Sequence, residues 1–268
     1  MTTSAQAPNR HSSTVRGRFA WHELMTTDVQ AAKQFYTTVI SWGTQEWPGA
    51  NPPYTMWTAQ DVPVGGLMRL PDDAASQGAP PHWLTYIESQ DVDETHAQAL
   101  GLGARTYVPP TDIPNVGRFA VLADPQGATF AVFTPHGDGM APSGTPQLGD
   151  FTWHELLTTN ESDAFEFYAN LFGWHKTSAM DMGEMGTYQM FGLGDEPMGG
   201  MYTIPPGMGA PPSWLPYVHV DSADAAAERA KQHGGAIVNG PMEVPGGDRI
   251  AVCMDPQGAA FAVHSRAR

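Results

Sequence analysis

The chain has a single cysteine, Cys253, among its 268 residues. That excludes an internal disulfide framework and a cysteine-rich zinc site. Cys253 lies in the apolar run Ile250–Met254, which reads as a buried strand residue rather than a nucleophile. Basic residues are also scarce: 13 Lys and Arg stand against 28 Asp and Glu, a net charge of −15. Nucleic acid and anionic membrane surfaces need basic patches, so neither is an expected partner. No apolar run approaches the roughly 18 residues of a membrane span. The polar first 17 residues hold no signal-peptide core of about 7–15 apolar residues. A soluble, cytoplasmic protein is expected. No glycine-rich phosphate loop followed by lysine and no Gly-x-Ser-x-Gly elbow is found, nor any cysteine–histidine pair.

Glycine (29) and proline (24) are plentiful, though below the share that marks low-complexity chains, about 25–30%. The chain is therefore folded and rich in turns. Its main feature is an internal repeat. Residues 17–28, GRFAWHELMTTD, return as residues 149–160, GDFTWHELLTTN. Phe35-Tyr36 answers Phe167-Tyr168, and Gly65-Gly66 answers Gly199-Gly200. The stretch Ala79–Tyr86 answers Ala210–Tyr217, and Asp124-Pro-Gln-Gly127 answers Asp255-Pro-Gln-Gly258. The offset drifts only between 131 and 134, as loop insertions would make it. The expected organisation is a flexible tail over 1–16, a first domain over 17–135, a Gly/Pro-rich linker over 136–148 and a second domain over 149–268.

Within each repeat the pattern restarts once. Phe19 to Thr26 alternates with a period of two, as a strand does. Asp28 is placed to cap a helix whose apolar face is Ala32, Phe35, Tyr36, Val39 and Ile40. Strands follow over 54–59 and 62–70. Trp83–Glu88 then reads as a new strand. Asp91 caps a helix with Val92, His96, Ala99 and Leu100 inward, and strands over 118–123 and 129–133 are joined by the type I turn Asp124-Pro-Gln-Gly127. The architecture is α+β: four strand–helix–three-strand (βαβββ) modules, with helices on one side of curved mixed sheets.

The strand, capping Asp, short helix ending Phe-Tyr and following Trp-Gly resemble the vicinal oxygen chelate superfamily, as does the closing Asp-Pro-x-Gly-x-x-Phe hairpin. That superfamily includes glyoxalase I, bleomycin-resistance proteins and extradiol dioxygenases. The resemblance spans both repeats and implies two tandem glyoxalase-like domains. The Trp-x-Glu-Leu-x-Thr-x-Asp element with its later Trp-x-x-Tyr is similar to a bacterial group of tandem glyoxalase-like proteins. Metal-using members imply His, Glu or Gln ligands on the first, fourth, fifth and eighth strands. The corresponding positions here are Trp21, Leu84 and Ala131, and Trp153, Leu215 and Ala262. The fourth-strand segments, 64–68 and 198–202, carry no ligating side chain. No metal or other cofactor is expected at the usual place, which leaves only an atypical divalent site. His22 and His154 face the helix side and read as satisfied core histidines.

The same register puts Trp21, Glu23, Tyr86 and Glu88 on one concave face, and Trp153, Glu155, Tyr217 and His219 on the other. A carboxylate among aromatic rings suits a small, partly aromatic or cationic ligand. Desolvation raises a carboxyl pKa, which makes Glu23 and Glu155 the candidate acid–base residues. The competing structural role is a hydrogen bond to backbone groups or an ion pair with Arg118 or Arg249. The expected function is a member of this superfamily without the usual metal ligands, binding a small organic molecule in one or both clefts. The alternative is an enzyme of lyase, hydroxylase or dioxygenase type. A monomer or weak homodimer is expected, because a fused pair of repeats can do alone what a homodimer does for a single repeat.

Overall fold

The computed structural model describes residues 15–137 and 144–267. Most of the expected tail and part of the expected linker therefore lie outside the described residues. The first repeat runs β1 (Phe19–Thr26), α1 (Val29–Val39), β2 (Gly43–Glu46), β3 (Thr55–Ala59) and β4 (Val62–Arg69). After the short α2 (Asp72–Ser76) come β5 (His82–Glu88), α3 (Val92–Gly101), β6 (Arg105–Ile113), β7 (Gly117–Ala123) and β8 (Thr129–Pro135). The second repeat runs β9 (Phe151–Thr158), α4 (Glu161–Phe172), β10 (His175–Asp181), β11 (Thr187–Gly192) and β12 (Gly199–Thr203). It ends with β13 (Ser213–His219), α5 (Ala223–Gln232), β14 (Ala236–Glu243), β15 (Arg249–Met254) and β16 (Ala260–Ser265).

Each repeat forms one eight-stranded mixed sheet, in the order β2-β3-β4-β1-β5-β8-β7-β6 and its equivalent β10-β11-β12-β9-β13-β16-β15-β14. The two modules of a repeat meet at an antiparallel pair, β1 with β5 and β9 with β13. Fold class and tandem organisation agree with the sequence reading.

The Asp28 cap forms as expected, and the second repeat reproduces it. Asp28 accepts the N–H groups of Gln30 and Ala31, and Asn160 those of Ser162 and Asp163. The buried face of α1 is Ala32, Phe35, Tyr36 and Val39. The face of α3 differs from expectation: Val92, Thr95 and Ala99 are buried, while Leu100 is exposed. His96 instead bonds Thr106 Oγ1 at 2.8 Å. Thr95 belongs inside because its hydroxyl closes on Ser89 Oγ at 2.7 Å, so a polar residue meets a polar partner there.

The helices do not build separate cores. α1 packs with α5, and α3 with α4. One core joins Leu24, Tyr36, Trp57 and Trp83 of the first repeat to Ala227, Cys253 and Phe261 of the second. The other joins Ile87, Leu122 and Phe130 to Tyr168, Trp174 and Trp214. Bonds across the junction come in matched pairs. Trp42 donates to the Gly149 carbonyl at 2.9 Å and Trp174 to the Gly17 carbonyl at 2.8 Å. Arg229 holds the Val39 carbonyl at 2.8 Å, and Arg16 holds that of Leu171. Both carbonyls lie in the last turns of α1 and α4, where orphan acceptors need donors. The opposite faces of the two sheets carry separate clusters, around Trp21 and Tyr86 in the first repeat and around Leu215 and Tyr217 in the second. Among the described residues no helix is long and apolar enough to cross a membrane.

Candidate functional site

On each of these faces the first strand presents a Trp and a Glu, two residues apart and so on the same side. In the first repeat Tyr86 donates its hydroxyl to Glu23 Oε2 at 3.0 Å, and Trp21 donates its indole N–H to Tyr54 Oη at 2.8 Å. Tyr54 also bonds Glu23. The second repeat reproduces the arrangement. Trp153 donates to Tyr188 Oη at 2.8 Å. Tyr188 and Tyr217 both donate to Glu155 Oε2, at 3.0 and 3.2 Å. The glutamates therefore bond tyrosines. Arg118 pairs with Asp93 and Asp112, and Arg249 with Asp224. This corrects the expected alternative in which those arginines hold Glu23 and Glu155. Each arginine instead ties its strand to an acidic residue in the first turn of the neighbouring helix, where negative charge is favoured.

Tyr54 and Tyr188 are the residues the sequence reading did not single out. A signal exists: both sit 134 residues apart, the same offset as the glycine pairs Gly65-Gly66 and Gly199-Gly200. The structure explains the link. A Cβ on Gly66 would lie 1.8 Å from Tyr54 Oη, and one on Gly200 would lie 2.1 Å from the Tyr188 ring. Glycine is present so that the tyrosine can cross the strand and reach the glutamate. Gly200→Ala is expected to push Tyr188 off Glu155 and cost about 1–3 kcal/mol, as overpacking does. Urea unfolding checks the cost. An unchanged midpoint would mean that the ring has room to move.

Burial raises the Glu23 carboxyl above its ordinary range, and the tyrosine hydroxyls pull part of the way back. Burial pushes Glu155 up to about 7, again against its two tyrosines. Tyr54, Tyr86, Tyr188 and Tyr217 are all raised, by burial first and then by the adjacent carboxylate. The phenols therefore remain donors. Because both take Oε2, Glu155 Oε1 has no protein partner among the described residues and is not sealed from solvent.

The two faces are unequally buried. In the first, Trp21, Met56, Leu84, Tyr86, Val121 and Phe133 form a closed apolar cluster. In the second, the counterparts Trp153, Met190, Val252 and His264 are half-exposed. Tyr202 replaces Met68 and stacks on Tyr188 at 5.9 Å. Glu88 and His219, equivalent by register, also diverge. Glu88 is fully buried and accepts the Val15 N–H at 2.9 Å, which ties it to the chain entering the first repeat. His219 is half-exposed, with Nδ1 on the Gln147 carbonyl at 3.2 Å. Of the expected site residues, Trp21, Glu23 and Tyr86 come together in one network, and Trp153, Glu155 and Tyr217 in the other. Glu88 and His219 lie beyond them at the strand ends.

The implied metal does not fit these residues. Trp21, Leu84 and Ala131 meet in one apolar cluster, and Leu215 and Ala262 meet beside Trp153 in the other. An indole, an isobutyl group and a methyl group offer no ligand atom. Among the described residues no three His, Cys, Asp or Glu side chains converge on a point that would hold an ion. His22 and His154 are buried on the opposite face, 2.8 Å apart between their Nε2 atoms. Cys253 is buried, and burial pushes its thiol up to about 11, which makes it a poor nucleophile.

Comparison with known proteins agrees with the fold. The Glyoxalase/Bleomycin resistance protein/Dioxygenase superfamily model matches twice, over residues 18–132 and 152–263. The chain is 35% identical over 245 residues to "Putative glyoxylase CFP32" of Mycobacterium tuberculosis, covering 91% of this chain and 92% of the relative. It is 31% identical over 261 residues to the anthracycline biosynthesis protein DnrV of Streptomyces peucetius, covering 92% of each. Among solved structures, the Mn(II)-bound glyoxalase from Novosphingobium aromaticivorans aligns with TM-score 0.64 and 18% identity, over 96% of this chain and 84% of that one. The 2,3-dioxygenase LapB from Pseudomonas sp. KL28 aligns with TM-score 0.64 and 10% identity, over 96% and 94%.

Proposed function

The chain belongs to the glyoxalase/bleomycin resistance protein/dioxygenase superfamily, and from that membership we propose that it binds a small, planar organic molecule in the second cleft. Trp153, Tyr217 and Tyr202 supply the aromatic wall, His219 the far rim, and Glu155 the group that exchanges a proton with the ligand. The observation that carries this reading is Glu155 itself. Its carboxyl is pushed to about 7 by burial, one oxygen is fixed by two phenols, and the other has no protein partner among the described residues. The first cleft, with Trp21, Glu23, Tyr86 and Glu88, is the closed counterpart and the lesser candidate. The 31% identity to an anthracycline biosynthesis protein favours a flat polycyclic ligand, which aromatic walls bind face-on. The net charge of −15 adds attraction for cationic groups on such a ligand.

The same carboxyl favours a second reading, an acid–base enzyme of lyase type. A group with a pKa near the working pH can take a proton from a bound hydroxyl or carbon acid and return it. The donor set described above gives a hydroxylase or dioxygenase mechanism no ligand atoms at the usual position.

2-Methoxyanthraquinone, a flat ketone that does not titrate near neutrality, tests the binding reading by equilibrium dialysis. Saturable binding is expected. Affinity should fall about three- to tenfold as pH rises through 7 and Glu155 loses the proton it donates to a carbonyl, the worth of one hydrogen bond. Glu155→Gln keeps a donor and should make the affinity flat with pH. Trp153→Leu should weaken binding by a similar factor, and Trp21→Leu should not. No saturable binding overturns the proposal, and equal effects of the two tryptophan substitutions overturn the choice of cleft.

A further inference from the structure

The far end of the second cleft carries a cluster that the first lacks entirely. β13 and β16 run parallel, with Tyr217 beside Ala262 and His219 beside His264. Residues two apart share a face, so both histidines continue the wall begun by Tyr217 and Ala262. Their rings are 5.7 Å apart. His264 Nε2 is 2.8 Å from Asp248 Oδ2. The carboxylate therefore fixes the proton on Nε2 and leaves Nδ1 as an acceptor whose one contact is the Thr152 hydroxyl, with Oγ1 at 3.4 Å, long for a hydrogen bond. Thr152 reaches this face because the β9–β13 ladder shifts register between Tyr217 and Val218, and a bulge re-aims a side chain. His219 is locked the same way in mirror sense. Its Nδ1–H lies on the Gln147 carbonyl, burial lowers its pKa, and its Nε2 lone pair has no partner among the described residues.

In the first repeat the equivalent positions are Ala20, Glu88, Gly117 and Phe133. None supplies an imidazole, and Glu88 is engaged by the Val15 N–H. The cluster is thus peculiar to the more open cleft, and it consists of two acceptor nitrogens whose other nitrogens are already tied to the protein.

We infer that His219 and His264, the latter backed by Asp248, form a recognition subsite for an acidic hydroxyl, phenolic or enolic, on the ligand of the second cleft. The inference rests on the binding reading above and adds the ligand's chemical class: a flat molecule with a hydrogen-bond donor at the end remote from Glu155. Two imidazole nitrogens that accept favour an O–H over an ether or a hydrocarbon edge, because an ether oxygen brings a lone pair against theirs and leaves both unpaired. Asp248 makes His264 the stronger acceptor of the two by stabilising positive charge on its ring.

The test compares 2-hydroxyanthraquinone with 2-methoxyanthraquinone in equilibrium dialysis against the full chain. The wild type is expected to prefer the hydroxyl compound about tenfold, the worth of one well-placed hydrogen bond. His264→Phe, which installs the first repeat's residue, should bring that ratio to about one to three. Asp248→Asn, which keeps the imidazole and removes the backing charge, should give an intermediate ratio and serves if the first variant does not fold. Equal binding of the two compounds by the wild type overturns the subsite alone, as does a ratio that neither substitution moves. Failure of both compounds to bind overturns the cleft reading beneath it.

Discussion

Asp124→Ala is expected to lower the unfolding free energy by about 3–5 kcal/mol, the sum of several buried donors stripped of their acceptor. Asp124 is fully buried. Its Oδ1 accepts the N–H groups of Gln126, Gly127 and Ala128 at 2.8 to 2.9 Å. Its Oδ2 accepts the hydroxyl of Tyr168, in the other repeat, at 3.1 Å. Tyr168 in turn receives the indole N–H of Trp214 at 2.9 Å. Alanine keeps the turn's backbone but leaves four donors facing one another in a space too small for full hydration. Domains of this size have only about 5–15 kcal/mol in hand, so the variant should sit close to unfolding at 37 °C. Asp124→Asn retains an acceptor on one side and should cost about half as much. Tyr168→Phe, which removes both the hydroxyl's bond to Asp124 and the Trp214 bond to that hydroxyl, should cost about 2 kcal/mol. Equilibrium urea unfolding of the three variants checks the ranking. A loss below 1 kcal/mol for the alanine variant would show that water enters the turn and satisfies it.

The repeat was legible because it is written in consecutive letters, and the Asp-Pro-Gln-Gly turn that contains Asp124 was legible for the same reason. What the turn is for was not. The sequence marks Asp124 as the first residue of a type I turn. Nothing local says that its second oxygen meets Tyr168, 44 residues away, or that Asp255 meets Tyr36 across 219 residues. The cross-packing of α1 with α5 and α3 with α4 escapes sequence reading on the same ground. An apolar stripe states that a helix must be covered, and any second stripe of the right width would cover it.

The candidate site divides along a similar line. Glu23 and Glu155 were legible because a two-residue period on a strand places them beside a tryptophan. Tyr86 and Tyr217 followed from the antiparallel register of the neighbouring strand. Tyr54 and Tyr188 did not, because each enters the cleft from a strand two places away and crosses a glycine to do so. His264 was visible as a departure from the repeat, where Phe133 stands in the first copy. Its partner Asp248 was invisible, since the equivalent position is Gly117 and a glycine offers no pattern to compare. Departures from an internal repeat therefore mark one member of a new cluster and leave its partners to the fold.

The second large effect is acid sensitivity arising from His22 and His154. The two rings meet between the repeats, Nε2 to Nε2 at 2.8 Å, with Phe151 stacked on His22 and Phe19 on His154. His154 Nδ1 lies 3.2 Å from the Met198 carbonyl and must carry a proton to bond it. Its Nε2 is therefore the acceptor, and His22 donates from Nε2. A proton added to His154 abolishes that bond and puts a charge among phenyl rings. Burial accordingly lowers His154 to about 3, and burial followed by the neighbouring ring lowers His22 well below its usual value. Since the folded values lie below the unfolded value of 6.5, the unfolded chain takes up protons first as pH falls. The stability is whole above pH 6.5 and drains away toward pH 3, by on the order of 4–5 kcal/mol for His154 alone. Glu155 works in the opposite sense. Its folded value of about 7 lies above the unfolded 4.5, so it adds stability as pH falls from 7 to 4.5 and nothing further below. The two effects oppose each other down to pH 4.5, and beneath that Glu155 no longer offsets the histidine loss, to which the ion-paired carboxylates Asp93 and Asp224 add in the same direction. Stability is expected to change gently from pH 7 to 4.5 and then drop steeply. The double variant His22→Gln with His154→Gln keeps a hydrogen bond across the junction without a titrating group. It should be the more stable protein at pH 3.5 relative to its own value at pH 7. Urea unfolding at pH 7, 5.5, 4.5 and 3.5 makes the comparison, and parallel curves for wild type and variant would remove the histidine pair as the cause.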